Sequence, residues 1–508
     1  MRLAELVGTL SMATDAGAGM PDHHALRGAI VAVRLAELVK ADDRTVADAY
    51  YLPLLAMSGC SAESQTSSEA LGDEVAIGVE TYGLDWGRPS EMLPAVLRLA
   101  RRGRGPIGGI VSMARAMSKL SQMVDVGRAH CEVAIHLAER FGFDEAFRAA
   151  LFQAFERWDG TGKPTGAKGD AIAIGMRIAH VALDVNIGHR LGGVDGAVAL
   201  TRKHAKRGLD PALVERFAAS AAELCEPLAD PSPWNVAMTA EPAPHRIVDG
   251  DAIDEGLRAI AHFTDLKCRF TRGHSTGVAT LAGAAARKLG LGDETAQAVM
   301  RAGLVHDVGR VAITAAIWDK AEPLTDTERE RIRSHTYVGE RVLSRSPALA
   351  SVAEIATLAH ERLDGAGYHR RLPASACSPA ARALAAADVY QALREDRPHR
   401  AALDADQAAS ELGTMVRNGS LCPDAVAAVL AAAGHVVRAP ERPSGLTDRE
   451  VEVLRLVARG LTNKEIASTL NISVKTAGHH VQHVLEKLGV TTRAAATMIA
   501  MKTGLAQA

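Results

Sequence analysis

Aromatic residues are scarce in this 508-residue chain, at 4% for Phe, Trp and Tyr together. Strands draw on aromatic and β-branched side chains for their packing, so this shortage, set beside abundant alanine, argues for close-packed helices and an all-α protein. Paired cysteines are missing too. The six cysteines, Cys60, Cys131, Cys225, Cys268, Cys377 and Cys422, include no C-x-x-C, which argues against a thiolate zinc site and a disulfide framework and predicts a reducing compartment. No stretch reaches the roughly 18 uncharged apolar residues of a membrane span. Glu5 and Asp15 also spoil the N-terminus as a signal peptide, so the expectation is a cytoplasmic protein without a membrane partner. Nor does one sign of charge dominate: the formal net charge is −2, with 23% charged and 47% apolar residues. That is the balance of an ordinary globular chain, and it says nothing about nucleic acid. The length exceeds what one core can organise, so about two to four domains are expected.

Two proline-rich stretches without helical periodicity, EPLADPSPWNVAMTAEPAPH from Glu226 and RAPERPSG from Arg438, read as linkers. They divide the chain into residues 1–225, a linker at 226–249, residues 250–437, a linker at 438–445, and residues 446–508. The first two blocks are versions of each other. An offset of 250 lays His24 on His274 and Ala56-Met57-Ser58-Gly59 on His306-Asp307-Val308-Gly309. An offset of 205 lays His130 on His335, Glu156 on Glu361, Asp159-Gly160 on Asp364-Gly365, Gly162 on Gly367 and Arg177 on Arg382. The change of offset requires an insertion of 45 residues between Ser58 and His130, where SAESQTSSEALGDE reads as a polar loop. Two offsets held over so many polar and glycine positions point to a duplication.

The second block carries His274, the adjacent pair His306-Asp307, then His335, His360 and Asp388. A lone histidine is usually a hydrogen-bonded, partly buried residue. Six imidazole and carboxylate side chains in order form instead a ligand set suited to iron, manganese or zinc, with Asp307 as the natural bridge if two ions bind. Thr325 and Glu328 form a capping box ahead of the helix that bears His335. Asp307, Arg310 and Lys320 are the candidate catalytic side chains, and Lys320, Tyr368, Arg394 and Arg397 the candidate contacts for a phosphorylated ligand. Opposite His306, Asp307, His360 and Asp388 the first block has Ala56, Met57, Phe155 and Leu183. One or two divalent ions are therefore expected in the second block only, and the first block reads as a non-catalytic copy that braces or dimerises it.

With DLKCRFTRGHS, HDVGR, KAEPLT, HERLDGAGY and DVYQALREDRPHR in view, the second block resembles the HD-GYP branch of the HD phosphohydrolases over about 150 residues. The resemblance implies an all-helical, metal-binding domain acting on a phosphodiester such as cyclic di-GMP. Departures are visible. The family's His-His-Glu is Ala359-His360-Glu361, the lysine closing its HD-x-G-K motif is Arg310, its Gly-Tyr-Pro is Gly367-Tyr368-His369, and Phe270 stands where three-metal members have a glutamate.

The C-terminal segment divides by caps and periodicity into four short helices. Thr447 with Glu450 and Thr462 with Glu465 make capping boxes, and Asn463–Leu470, the turn Asn471-Ile472-Ser473 and Val474–Leu488 have helix-turn-helix dimensions. Ile466, Ala467, Leu470, Ile472, Val481, Val484, Leu485 and Leu488 form an apolar seam, which leaves Lys475, His479 and Gln482 on an outward face. From Leu446 to Ala508 eight Lys or Arg stand against five Asp or Glu, a net of +3, as a phosphate-facing surface requires. LTDRE, GLTNKEIASTLNIS and LEKLGV closely resemble the LuxR-type helix-turn-helix. That resemblance implies a homodimer reading double-stranded DNA, with Lys464, Ser473, Lys475, Thr476, His479 and Gln482 at the DNA. The leading expectation is a one-component transcription regulator whose body senses a phosphorylated ligand, a cyclic dinucleotide among the candidates. The rivals are a working metal phosphodiesterase and a scaffold that only dimerises the DNA reader.

Overall fold

The computed structural model describes residues 1–101, 120–436, 445–470 and 472–502, and among these it contains helices and no strand. The first half consists of α1 (Leu3–Gly17), α2 (His24–Leu38), α3 (Asp43–Leu55), α4 (Cys60–Leu71), α5 (Glu74–Thr81), α6 (Pro89–Arg101), α7 (Leu120–Arg140), α8 (Glu145–Leu151), α9 (Ile174–His204), α10 (Pro211–Ala219), α11 (Ala221–Cys225) and α12 (Pro233–Ala240). The second half runs through α13 (Gly250–Asp265), α14 (His274–Lys288), α15 (Asp293–Val305), α16 (Ala315–Trp318), α17 (Asp326–Leu343), α18 (Ala350–Ala356), α19 (Pro379–Leu393), α20 (Ala405–Arg417) and α21 (Pro423–Ala432). The two halves belong to one compact unit of residues 1–415 and 420–429.

The duplication is visible helix by helix. α2 and α14, and α3 and α15, begin and end at an offset of 250, while α8 and α18 keep the offset of 205. Close backbone approaches repeat as well. A Cβ on Gly59 would lie 2.1 Å from the His130 carbonyl oxygen, and one on Gly309 would lie 2.0 Å from that of His335. Both positions admit only glycine. Buried carboxylates hold the same loops: Glu156 accepts from the Thr165 and Gly166 amides at 2.6 and 3.1 Å, and Glu361 from those of Arg370 and Leu372 at 2.9 and 3.0 Å.

Two expectations are corrected. The serine-rich insertion is helical, not a loop: Ser61, Ser64, Ser67 and Ser68 are buried on α4, which packs on α7. Small hydroxyl side chains allow that approach, and the Ser64 and Ser68 hydroxyls donate back to the carbonyls of Cys60 and Gln65 at 3.2 and 3.0 Å. The segment 226–249 is likewise more than a linker. Proline at the first helical position starts α12, which buries Trp234 and Met238, four residues apart, against α1 and α2. Most of the second linker, 437–444, and Asn471 of the helix-turn-helix turn lie outside the described residues.

The C-terminal module contains α22 (Asp448–Ala458), α23 (Asn463–Leu470), α24 (Val474–Lys487) and α25 (Arg493–Lys502). Both capping boxes form, with Glu450 accepting from the Thr447 amide and Glu465 from the Thr462 amide, each at 2.7 Å. Every residue of the expected apolar seam lies in the module's core or packs against it.

Candidate metal centre and DNA-facing helix

Four imidazoles and two carboxylates converge in the second half. His274 opens α14, His306 and Asp307 follow the end of α15, His335 lies on α17, His360 follows α18 and Asp388 lies on α19. All six are buried. Asp307 Oδ1 lies 3.2 Å from His335 Nε2 and 3.1 Å from His360 Nε2, and Oδ2 lies 3.5 Å from His306 Nε2 and 3.7 Å from His274 Nε2. Asp388 Oδ1 stands 3.3 Å from His274 Nε2 and 3.7 Å from His306 Nε2. The sequence-predicted ligands are thus in one place.

The far nitrogens orient the rings. His306 Nδ1 donates to the Gly303 carbonyl at 2.9 Å, His335 Nδ1 to that of Ile332 at 2.6 Å, and His274 Nδ1 to Glu395 at 2.9 Å. This is how metal-ligating imidazoles are held, with the outer N–H fixing tautomer and direction. The inner Nε2 atoms of His306 and His335 are buried without a hydrogen-bond partner, a costly arrangement unless something in the cluster engages them. His274, His306 and Asp388 form one triad able to hold an ion, and His306, Asp307 and His360 an overlapping one. The donor set and the orphaned nitrogens fit one or two dications of the borderline transition-metal kind.

Charge in the cluster is balanced by protons. Burial disfavours the charged forms of Asp307 and Asp388, but Arg310 and His306 around the first, and the imidazole of His360 above all around the second, outweigh it and hold both carboxyls well below the usual range. Burial also opposes the His274 imidazolium, yet hydrogen bonds to Asp388 and Glu395 push it up to about 9. A dication would replace these protons as the counter-charge.

The remaining candidates separate into layers. Arg310 donates to Asp307 Oδ2 at 2.7 Å and lies over Trp318, 4.0 Å from the ring centre. Tyr368 stacks on His360 with ring centres 5.2 Å apart. Arg397 stands one layer back, donating to Glu395 at 2.9 Å. Lys320 is held by both Glu328 oxygens at 2.8 Å, and the exposed Arg394 donates to the Leu403 carbonyl. Sequence reasoning missed Glu395. Its signal was present as the acid seven residues beyond Asp388, just past the end of α19.

In the first half the equivalent histidine is engaged differently. His130 Nε2 donates to the Ala56 carbonyl at 2.9 Å, and its ring meets Phe155 edge-on at 4.7 Å.

On α24, Lys475, Thr476, His479 and Gln482 are exposed, as is Lys464 on α23. Ser473 caps α24 by accepting from the Thr476 amide at 3.0 Å, so Ser473 and Thr476 also set the helix start. Lys487 pairs with Glu450 at 2.6 Å and ties α24 to the start of α22.

Residues 258–421 match the family model described as an HD domain, and residues 444–500 the model for bacterial regulatory proteins of the luxR family. The chain joins an HD domain to a LuxR-family helix-turn-helix module. It is 25% identical over 419 residues to 3'3'-cGAMP-specific phosphodiesterase 3 of Vibrio cholerae, covering 80% of this chain and 89% of that protein. A cyclic di-GMP phosphodiesterase of Pseudomonas aeruginosa is 34% identical over 166 residues, covering 32% of this chain and 40% of the relative. The nitrate/nitrite response regulator NarP of Escherichia coli is 52% identical over 56 residues, 11% of this chain and 26% of that protein. A crystal structure of a cyclic GMP-AMP specific phosphodiesterase of V. cholerae superposes with a TM-score of 0.59 at 24% identity, covering 86% of this chain and 99% of that one, which supports the HD fold. Among the described residues no helix is long and apolar enough to cross a membrane.

Proposed function

We propose that the chain is a one-component transcription regulator whose HD domain holds a phosphorylated ligand, a cyclic dinucleotide, at a metal centre, and whose DNA binding through a dimer of the LuxR-type module depends on that ligand. The observation that carries this reading is the pair of orphaned imidazole nitrogens, His306 Nε2 and His335 Nε2, aimed into a buried histidine and aspartate cluster in the same chain as a DNA-binding module. Dications held by His274, His306, Asp307, His335, His360 and Asp388 would polarise a phosphoryl oxygen and acidify a water at the site. Arg310 pairs with Asp307, and Tyr368 stacks on His360.

Two features favour binding over turnover. Ala359 supplies no ligand where the family motif has an imidazole, and Glu361 is engaged by two backbone amides. The second reading, an active phosphodiesterase, is favoured by the six remaining ligands and by the activities named for the relatives. Metal analysis, a hydrolysis assay on cyclic di-GMP and 3'3'-cGAMP, and DNA binding with and without each dinucleotide separate the two. The regulator reading expects bound metal, a ligand-dependent change in DNA binding, and slow hydrolysis that Ala359→His accelerates. Fast wild-type hydrolysis that Ala359→His leaves unchanged establishes the enzyme instead.

A further inference from the structure

The first half lacks the metal-ligand side chains, yet the equivalent positions are not uniformly apolar. At the repeat offsets, Glu395, which holds His274, is replaced by Arg190, Gln391 by Asn186, and Gly277 by Arg27. A carboxylate has become a guanidinium, and a glycine covered by the Gln391 side chain a second one. The hydrogen bond at the shared histidine reverses as well. His274 Nδ1 donates to Glu395, whereas His24 Nδ1 accepts from Asn186 Nδ2 at 2.8 Å.

Around His24 several polar atoms are buried with no partner. Asn186 is fully buried on α9 and its Oδ1 is unsatisfied. Tyr82 meets the His24 ring edge-on at 6.0 Å, and its hydroxyl has no partner. Arg27, on the turn of α2 after His24, donates to the Leu228 carbonyl while its Nε stays unsatisfied. Arg190, one turn beyond Asn186 on α9 and exposed to solvent, donates to the Asp22 carbonyl. Among the described residues neither arginine lies within ion-pair distance of a carboxylate. The nearby acids are otherwise engaged, Asp22 by Arg341, Asp15 by the Ala25 amide, and Asp230, whose charge favours the Arg27 cation, by the Ser232 amide. The two cations feel each other: burial first and Arg190 second lower the Arg27 ionisation, and the same two causes depress His24 to about 4, leaving a neutral ring.

We propose that the first half carries a metal-independent site for a nucleotide phosphate, bound directly by Arg27 and Arg190, with Tyr82, Asn186 and His24 lining it. Guanidinium groups supply planar, paired donors that match phosphoryl oxygens, so they can replace metal ions as the cationic partner of the same anion. The Tyr82 hydroxyl adds a donor. Asn186 Oδ1 is an acceptor, which the proton-free oxygens of a phosphodiester cannot satisfy and an N–H or O–H of a base or sugar can. The duplication has then produced two pockets of opposite charge. The acidic one needs cations before it can take a phosphate, and the basic one takes it unaided.

This site does not rest on the metal-centre reading, and its test removes that centre. Full-length Asp307→Ala protein in chelator is titrated by calorimetry with GMP and with cyclic di-GMP, guanosine serving as the uncharged control. At least one nucleotide is expected to bind and guanosine not to bind. Arg27→Gln and Arg190→Gln should each weaken nucleotide binding about tenfold or more, while Arg190→Lys, which keeps the charge and loses the paired donors, should weaken it less than Arg190→Gln. Melting curves of each variant establish that the fold persists. The proposal is overturned if neither nucleotide binds at about millimolar concentration, if guanosine binds equally well, or if folded arginine variants bind like the parent. None of these outcomes bears on whether wild-type protein holds metal.

Discussion

Where the second half sets His335 edge-on to His360 with ring centres 4.8 Å apart, the first half sets His130 edge-on to Phe155 at 4.7 Å, both at an interplanar angle of 77°. The frame that positions the two rings has survived, and the chemistry on it has not. Gly59 and Gly309, and Glu156 and Glu361, do the same backbone work in each half. What differs is the contents. His335 Nε2 is left free to ligate, while His130 Nε2 is tied to a carbonyl. A pocket can therefore keep its shape through close backbone contacts and buried carboxylates long after its ligands are gone.

The largest expected effect tests where the halves are unlike. Lys267 stands where the first half has Gly17, and it is fully buried against Glu74 of the inserted α5, 2.7 Å away. Glu74 also accepts from the Thr314 hydroxyl and the Ala315 amide at 2.6 and 2.8 Å. Lys267→Met strands that carboxylate and should cost about 3–5 kcal/mol in denaturant unfolding of the body. A loss under about 1 kcal/mol would mean that the insertion does not brace the second half.

Next come the shared glycines. Gly59→Ala and Gly309→Ala each drive a Cβ into a carbonyl oxygen and should each destabilise by about 3 kcal/mol. A mild effect at Gly59 beside a severe one at Gly309 would show that only one half still depends on the frame.

The C-terminal module gives smaller effects. Lys475→Ala should weaken binding to all duplexes alike and reduce the salt slope by about one, whereas replacing His479 or Gln482 should relax sequence preference, as read in binding curves at several salt concentrations. The reverse pattern would mean that another face of α24 meets the DNA. Smallest is Gly478→Ala. A Cβ there meets only the Asn463 amide nitrogen, at 3.5 Å, so the substitution should stabilise the module by up to about 1 kcal/mol in thermal melts.

The legible features were those fixed by side-chain chemistry at constant spacing. The six-residue histidine and aspartate cluster, the offsets of 250 and 205, and the capping boxes at Thr325, Thr447 and Thr462 all leave residue-type signatures. Helices α4 and α12 were not legible, because serine and proline read as loop formers. Their helices rest on tertiary contacts, α4, with its buried serines, against α7, and Trp234 against Gly8. Lys320 could not be placed either. Its pairing with Glu328, the carboxylate that also caps α17, depends on how the chain folds back after α16.

Metal content of three purified proteins, measured by plasma mass spectrometry after anaerobic loading with iron, manganese or zinc, tests the central claim. Wild type and His130→Ala are predicted to hold equal metal, one or two ions per chain, and Asp307→Ala to hold essentially none. Equal metal in all three proteins, or loss with His130→Ala, contradicts the account.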